Sequence, residues 1–209
     1  MNTPALPIYD DLSEARRTIL RRDSLRDVSI PPRLAESLRA VFGEPVTPDE
    51  AVRRIVQSVR QNGDAALFDW NRRIDGADLN ALEVPQDAID EGLRRTPENV
   101  VAALRLAAER IRAFHEKQPV TGWIDAGRDG SLGQLVRPVD SVGVYVAGGT
   151  APLPSSLLMS AVPAQVAGVQ EIVVVTPPGR GDGAVPDVIL AAAAICGLRR
   201  IYRVGGAQA

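Results

Sequence analysis

The chain has 209 residues, 45% of them apolar and 24% charged, the balance of an ordinary globular protein large enough to bury a core. A formal net charge of -2 gives no global attraction for nucleic acid or an anionic membrane, so neither is an expected partner. A lone cysteine, Cys196, excludes an internal disulfide, and with a lone histidine, His115, it falls short of the about four ligands, usually rich in His and Cys, that an ordinary zinc site takes. The N-terminus MNTPALPIYDD has neither the basic nor the apolar segment of a signal peptide, and no apolar run approaches the roughly 20 residues that span a bilayer. The cytoplasm is therefore the expected compartment.

The first half reads as helices. Ser13 can cap a helix running to Arg22, and Pro31-Pro32 can open a second through Val41, with Gly43 just beyond. Thr47-Pro48-Asp49-Glu50 is a capping box with proline at the first helical position, and Gly63 suits the left-handed residue after that helix. Val52, Ile55, Val56 and Val59 recur at helical spacing, as do Ala65, Leu67, Phe68 and Ile74 less strictly, and predict core faces. Thr96-Pro97 opens the longest helix, whose stripe runs from Val100 to Phe114 with His115 beside it. His115, Trp70 and Trp123 read as packing or capping residues, since no ligand cluster or basic patch surrounds them.

Near residue 120 the charged, Arg-rich pattern gives way to Val, Ile, Ala and Gly, which predicts two domains: a helical region over 1–120 and an incomplete Rossmann-like nucleotide-binding domain over 121–209. Strands are expected at Gln134 to Arg137, Val142 to Val146, Ile172 to Thr176 and Ile201 to Val204. AQVAGVQEIVVV from Ala164 matches AAICGLRRIYRV from Ala193 at an offset of 29 residues, each copy being a helix end, a glycine and a buried strand. Gly168 and Gly197 fall where each helix needs a left-handed residue before turning back. Two such units after Val142 make a βαβαβ parallel sheet, an α/β fold, with strands apolar enough to be covered by helices on both faces. Pro163 should bend or shorten the first of its helices. Cys196, in the run VILAAAAICGL, reads as a small buried hydrophobe.

Ligands of such sheets bind at the carboxyl ends of the strands, so three loops are candidates: 147–155, 176–187 and 205–209. In the first, VGVYVAGGTAPLPSS ends a strand in Gly148-Gly149 and leads into a helix, bringing bare N–H groups and a helix N-terminus together. The spacing is not GxGxxG, and the glycines alone fit a phosphate site or a ligandless turn equally well. In the second, Arg180 with Asp182 could reach a ligand, but the Pro- and Gly-rich stretch reads first as a solvated loop. The third, Gly205-Gly206 followed by Gln208, is another glycine turn directly after a strand, and two such turns on one sheet edge favour a ligand site.

Read together, VGVYVAGGTAPLPSSLLMSAVPAQVAGVQEIVVVTPP and IYRVGGAQA closely resemble segments of the histidinol dehydrogenase family, and so do NGDAALFDW, FHEKQ at Phe114 to Gln118 and RPVDSVG at Arg137 to Gly143. One departure is Ala147 where much of the family has proline. The resemblance covers nearly all of the chain from about residue 45. It implies a zinc- and NAD-dependent homodimeric enzyme that oxidises L-histidinol through an aldehyde to L-histidine. It also implies that Tyr145 and Gln208 contact NAD, with Gly148 and Gly149 as backbone contacts. The family continues for about as long again beyond the position of Ala209, and its zinc ligands, its Glu and His acid-base residues and its substrate residues lie in that further part. No catalytic or metal residue is therefore assigned to this chain, which is expected to be an N-terminal fragment inactive alone.

Two other readings share these motifs. A related zinc and NAD polyol dehydrogenase, acting for instance on a sulfonated propanediol, differs in substrate residues that this stretch does not carry. A non-catalytic nucleotide-binding module would need a closed sheet edge, and Ile201 to Val204 has no following helix to supply one. An uncovered face beside that strand predicts a chain of low stability or one prone to association.

Overall fold

The computed structural model describes residues 8–21, 30–119, 121–148 and 151–209. The chain forms two compact units, Met1–Pro48 and Asp49–Ala209. In the first, α1 (Leu12–Arg17) is capped by Asp11, whose carboxylate accepts from the Ser13 N–H at 2.8 Å. The cap thus falls two residues before the expected Ser13, where a charged acceptor also meets the positive end of the helix dipole. The expected helix end at Arg22 lies outside the described residues. Helix α2 (Pro32–Phe42) has proline in its first turn and Gly43 at φ 78° just past its end, as the sequence implies, and buries none of its residues.

The second unit opens with α3 (Pro48–Asn62), which buries Ala51 and Ile55. Val52 is exposed, so the buried stripe is narrower than the periodicity suggests. Gly63 at φ 55° turns the chain into α4 (Asp64–Trp70), which continues into a π-helical turn over Asn71–Asp75. Asn71 is fully buried there, and its Nδ2 donates to the Arg203 carbonyl at 2.7 Å. Trp70 is buried as expected, with the Arg73 guanidinium 4.4 Å from its ring centre.

Helices α5 (Gln86–Arg95) and α6 (Glu98–His115) follow, and then a hairpin the sequence reading did not contain. Strands β1 (Trp123–Gly127) and β2 (Gly130–Gln134) pair antiparallel around Arg128-Asp129, and the predicted strand at Gln134 to Arg137 is absent apart from its first residue. Asp129-Gly130 was the available turn signal. Every residue of the hairpin is exposed, including Trp123, whose predicted packing role is replaced by a hydrogen bond from its Nε1 to Gln134 Oε1 at 3.2 Å.

The α/β fold appears as expected. Strands β3 (Ser141–Tyr145), β4 (Glu171–Thr176) and β5 (Ile201–Arg203) form a parallel sheet in that order, joined by α7 (Pro154–Val166) and α8 (Asp187–Ile195). The 29-residue repeat has a structural cause. After α7 the Val169 N–H reaches the Ala164 carbonyl at 3.0 Å around Gly168 at φ 87°, and after α8 the Leu198 N–H reaches Ala193 at 2.9 Å around Gly197 at φ 69°. Both are the six-to-one bond of a Schellman stop, which only a left-handed residue permits without strain. Helix α7 runs three residues past Pro163, and Met159, whose carbonyl loses its helical partner to that proline, is exposed.

Both connecting helices, α7 and α8, cover the same face of the sheet, which corrects the expectation of one on each face. Successive right-handed crossovers stepping in one direction put their helices on the same side. Accordingly Val144, Val174 and Ile201, which are register partners, are buried beneath α7 and α8, and α5 and α6 pack outside those helices. Tyr145, Val175 and Tyr202, partners on the opposite face, are exposed or half-buried. The outer edge of β5, by contrast, is closed. Leu82 to Val84 runs antiparallel along it, with the Arg203 N–H donating to the Leu82 carbonyl and the Val84 N–H to the Ile201 carbonyl, each at 2.8 Å.

Helix α5 binds α8 through a close crossing and a polar clamp. An ideal Cβ on Gly92 would stand 2.5 Å from Leu190 Cβ, and Arg95 makes a bidentate pair with Asp187 at 2.6 and 3.0 Å that holds the Asp187 carboxyl below its usual range. Gly92→Ala sets about 1 kcal/mol of helix propensity against about 1–3 kcal/mol of overpacking. The clash wins, and thermal unfolding is expected to move down by about 3–6 °C; an unchanged or higher midpoint would show that the crossing tolerates a methyl.

Cys196 is buried at the end of α8, where its carbonyl accepts from Gln165 Nε2 at 2.6 Å and Arg112 donates to Gln165 Oε1 at 2.7 Å. Burial pushes its thiol up to about 11, against a smaller opposing effect of Arg112. Iodoacetamide at pH 8 should therefore leave the folded chain unlabelled and modify it in denaturant, as mass spectrometry would read. Labelling of the folded protein at the rate of a free thiol would contradict this burial.

Candidate functional site

All three strands of the parallel sheet end at one edge, and the central one organises it. Strand β4 ends in Thr176 and runs straight into Pro177-Pro178. Both glycine turns rest on this corner. An ideal Cβ on Gly148 would be 3.4 Å from Thr176 Oγ1 and 3.4 Å from Pro177 Cδ, while one on Gly205 would be 2.7 Å from Pro177 Cγ. Gly205 has an ordinary extended backbone, φ -122°, so close approach rather than dihedral freedom fixes its identity. Gly149 lies outside the described residues.

The structure brings Tyr145 and the second glycine turn together. The Gly206 N–H donates to the Tyr145 hydroxyl at 3.3 Å, linking the end of β3 to the turn after β5. Gly206, at φ 62°, begins a short 3-10 turn that ends at Gln208. Tyr145 is 47% exposed, so its ring is available at the edge, whereas Gln208 is only 5% exposed and neither its Oε1 nor its Nε2 has a hydrogen-bond partner. A buried primary amide with both ends unpaired is uncommon, because each orphaned group carries an uncompensated desolvation penalty. Thr176 is the second such group at this edge, fully buried with its Oγ1 unpartnered.

Gln208 also lines a cavity of about 500 Å³ on the open face of the sheet, walled by Leu67 and Phe68 of α4, Leu82, Val175 and Tyr202, with Asp64 and Glu83 as its carboxylates. Tyr145 lies outside that lining. The middle loop does local work: Asp182 accepts from the Ala184 N–H at 2.9 Å, and the charge of Arg180 counteracts the burial that raises the Asp75 carboxyl. His115 Nδ1 pairs with Gln118 Oε1 at 2.7 Å. Among the described residues no group of three or more His, Cys, Asp or Glu side chains could hold a metal, and no helix is long and apolar enough to cross a membrane.

Sequence reasoning gave Thr176 no role. The available signal was its place as the one polar residue closing the run IVVVT at a strand's carboxyl end. Asn71 and Arg203, which tie the π-helical turn to β5, carried no local signal at all, since their bond spans 132 positions.

An open parallel sheet with glycine turns and buried, unpaired polar groups at its carboxyl edge makes this an α/β protein of incomplete Rossmann-like type. Within that class the chain belongs to the histidinol dehydrogenase family, whose model matches residues 44–209. A histidinol dehydrogenase of Deinococcus radiodurans is 51% identical over 197 residues, covering 94% of this chain and 44% of that protein. One of Halalkalibacterium halodurans is 49% identical over 160 residues, 76% of this chain and 38% of that protein. The crystal structure of histidinol dehydrogenase from Elizabethkingia anophelis superposes with a TM-score of 0.73 at 29% identity, over 85% of this chain and 42% of that one. The chain thus spans less than half the length of these relatives.

The Pro177 corner can be probed directly. Gly205→Ala should drive its new methyl into the Pro177 ring and cost about 1–3 kcal/mol, read as a lower urea midpoint with an unchanged slope. A midpoint equal to wild type would mean that the two turns are not held against this corner.

Proposed function

We propose that this chain is the cofactor-side part of a histidinol dehydrogenase, an NAD-dependent oxidoreductase that converts L-histidinol to L-histidine through L-histidinal in the last steps of histidine biosynthesis. The observation that carries the reading is Gln208, a buried amide with both ends free at the edge that also presents Tyr145. A dinucleotide supplies donors and acceptors for such an amide, and an exposed phenol beside a glycine turn can pack or bond against it. Tyr145, Gln208, Gly148 and Gly149 are the proposed NAD contacts. NAD supplies the hydride acceptor; the residues of this chain bind and orient it. Gly148 leaves backbone accessible, and the Gly206 link fixes the Tyr145 hydroxyl.

Zinc does not fit the described residues, which lack a ligand cluster. Its ligands, the acid-base residues and the L-histidinol contacts belong to the length of the relatives that this chain does not match, and the chain alone is inactive. The functional division runs near residue 120, with 1–120 as a helical region whose α5 and α6 back the sheet helices and 121–209 as the nucleotide-binding domain. A homodimer is supported by the hairpin β1–β2, whose Ile124 is 81% and Leu132 71% exposed and would be covered by a second copy. The cytoplasm, where amino-acid biosynthesis takes place, is the proposed compartment.

Calorimetric titration of the chain with NAD tests the cofactor reading. Wild type is expected to bind, with Tyr145→Ala and Gln208→Leu each weakening affinity about tenfold, the worth of one or two hydrogen bonds. No heat of binding with wild type would sink the proposal. With zinc, NAD and L-histidinol together the chain should give no NADH absorbance, and turnover above the Tyr145→Ala background would refute the division of labour.

A further inference from the structure

We propose that Thr176 is a further cofactor-contacting residue, its hydroxyl donating to a pyrophosphate oxygen of the dinucleotide bound beside the Gly148 turn; this rests on the NAD reading above. Thr176 closes β4, the central strand of the parallel sheet, at the edge that carries Tyr145 and Gln208. It is fully buried, and its Oγ1 has no partner. The contrast with Thr96, the other threonine buried among the described residues, is informative. Thr96, at the end of α5, donates its hydroxyl to the Gly92 carbonyl at 2.8 Å, the ordinary way for a buried threonine to satisfy itself. Thr176 makes no such bond.

Packing does not call for a hydroxyl at this position. Thr176 lies on the face whose preceding members are Val174 in its own strand and Val144 and Ile201 in its neighbours, all buried and apolar. Valine has nearly the same shape and would fill the space without an unpaired oxygen. What distinguishes the position is its surroundings. The Oγ1 lies 3.4 Å from where a Cβ on Gly148 would stand, so the glycine turn packs its bare backbone beside the hydroxyl. That turn leads into α7, whose N-terminus has no side-chain cap. A strand end, a bare glycine backbone and an uncapped helix start together suit the phosphate portion of a nucleotide, and the threonine adds one more donor.

The inference predicts effects of opposite sign on stability and on binding. Thr176→Val removes an unpaired buried hydroxyl, so the ligand-free chain should unfold about 2–4 °C higher than wild type. The same substitution should weaken NAD about tenfold in calorimetry, and Thr176→Ser, which keeps the donor, should restore affinity to within about twofold. ADP-ribose, which retains the pyrophosphate and lacks the nicotinamide, should lose the same factor with Thr176→Val. A lower melting point for Thr176→Val would mean that the hydroxyl has an internal structural partner, and unchanged NAD affinity would mean that it meets no ligand; either overturns the assignment. Loss for NAD but not for ADP-ribose would overturn the pyrophosphate contact. If wild type binds neither ligand while Thr176→Val is still stabilised, the NAD reading itself has failed.

Discussion

The structure of the site depends on the pairing of β4 with a parallel partner on each side. Because β3 and β5 run in the same direction as β4, with Tyr145 opposite Val175 and Arg203 opposite Thr176, three chain segments leave the sheet at one edge. The Thr176-Pro177 corner then serves as the surface against which both glycine turns are set. Without that corner the Gly148 and Gly205 turns would be independent loops. With it, the bond from the Gly206 N–H to the Tyr145 hydroxyl closes a single framework over the strand ends.

That framework needs backing, and the chain supplies it from sequence-distant pieces. Helix α5 reaches α8 closely because Gly92 has no side chain, and the Arg95–Asp187 and Arg199–Asp90 pairs hold the crossing on its exposed sides. Exposed ion pairs contribute little each, so the apolar crossing is the main source of this cohesion. The same stretch of chain closes the sheet. Leu82 to Val84, just before α5, occupies the edge of β5 that would otherwise present unpaired N–H and C=O groups. Residues on both sides of the composition change at 120 thus share one core, consistent with a compact unit that begins at Asp49.

The parts of this architecture that were legible in the sequence are those fixed by local chemistry. The glycines at 168 and 197 had to be left-handed because a Schellman stop precedes each strand, and the 29-residue repeat follows from that geometry. The apolar runs ending in β3, β4 and β5 read directly as a parallel sheet. Tyr145, Gly148 and Gln208 could be located at its edge, but the resemblance to a family rather than any spacing rule singled them out. The failures were non-local. The three-residue strip at Leu82 is too short to carry a period of two, so the sheet edge looked open. Two-sided cover was inferred from apolar strands, although the one-directional strand order leaves Val173 and Val175 only half-buried. Burial state, and with it the unpaired atoms of Thr176 and Gln208, depends on contacts between segments far apart in the chain.

Two of the buried side chains with unpaired atoms, Thr176 and Gln208, lie at the functional edge, while other buried polar groups find partners within the core. Thr96 caps its own helix, Asn71 donates to β5, and Gln165 bridges α6 and α8 through Arg112 and the Cys196 carbonyl. Thr176 and Gln208 instead hold their donors and acceptors in reserve at the strand ends. Each such group costs the free protein about 1–3 kcal/mol of desolvation, a sizeable share of the 5–15 kcal/mol by which a typical domain is stable. A partner bound at this edge would offset that cost. The sheet's carboxyl edge is therefore marked by two features together: glycine turns, which a ligandless loop could share, and the polar atoms of Thr176 and Gln208 that the fold buries there without a partner.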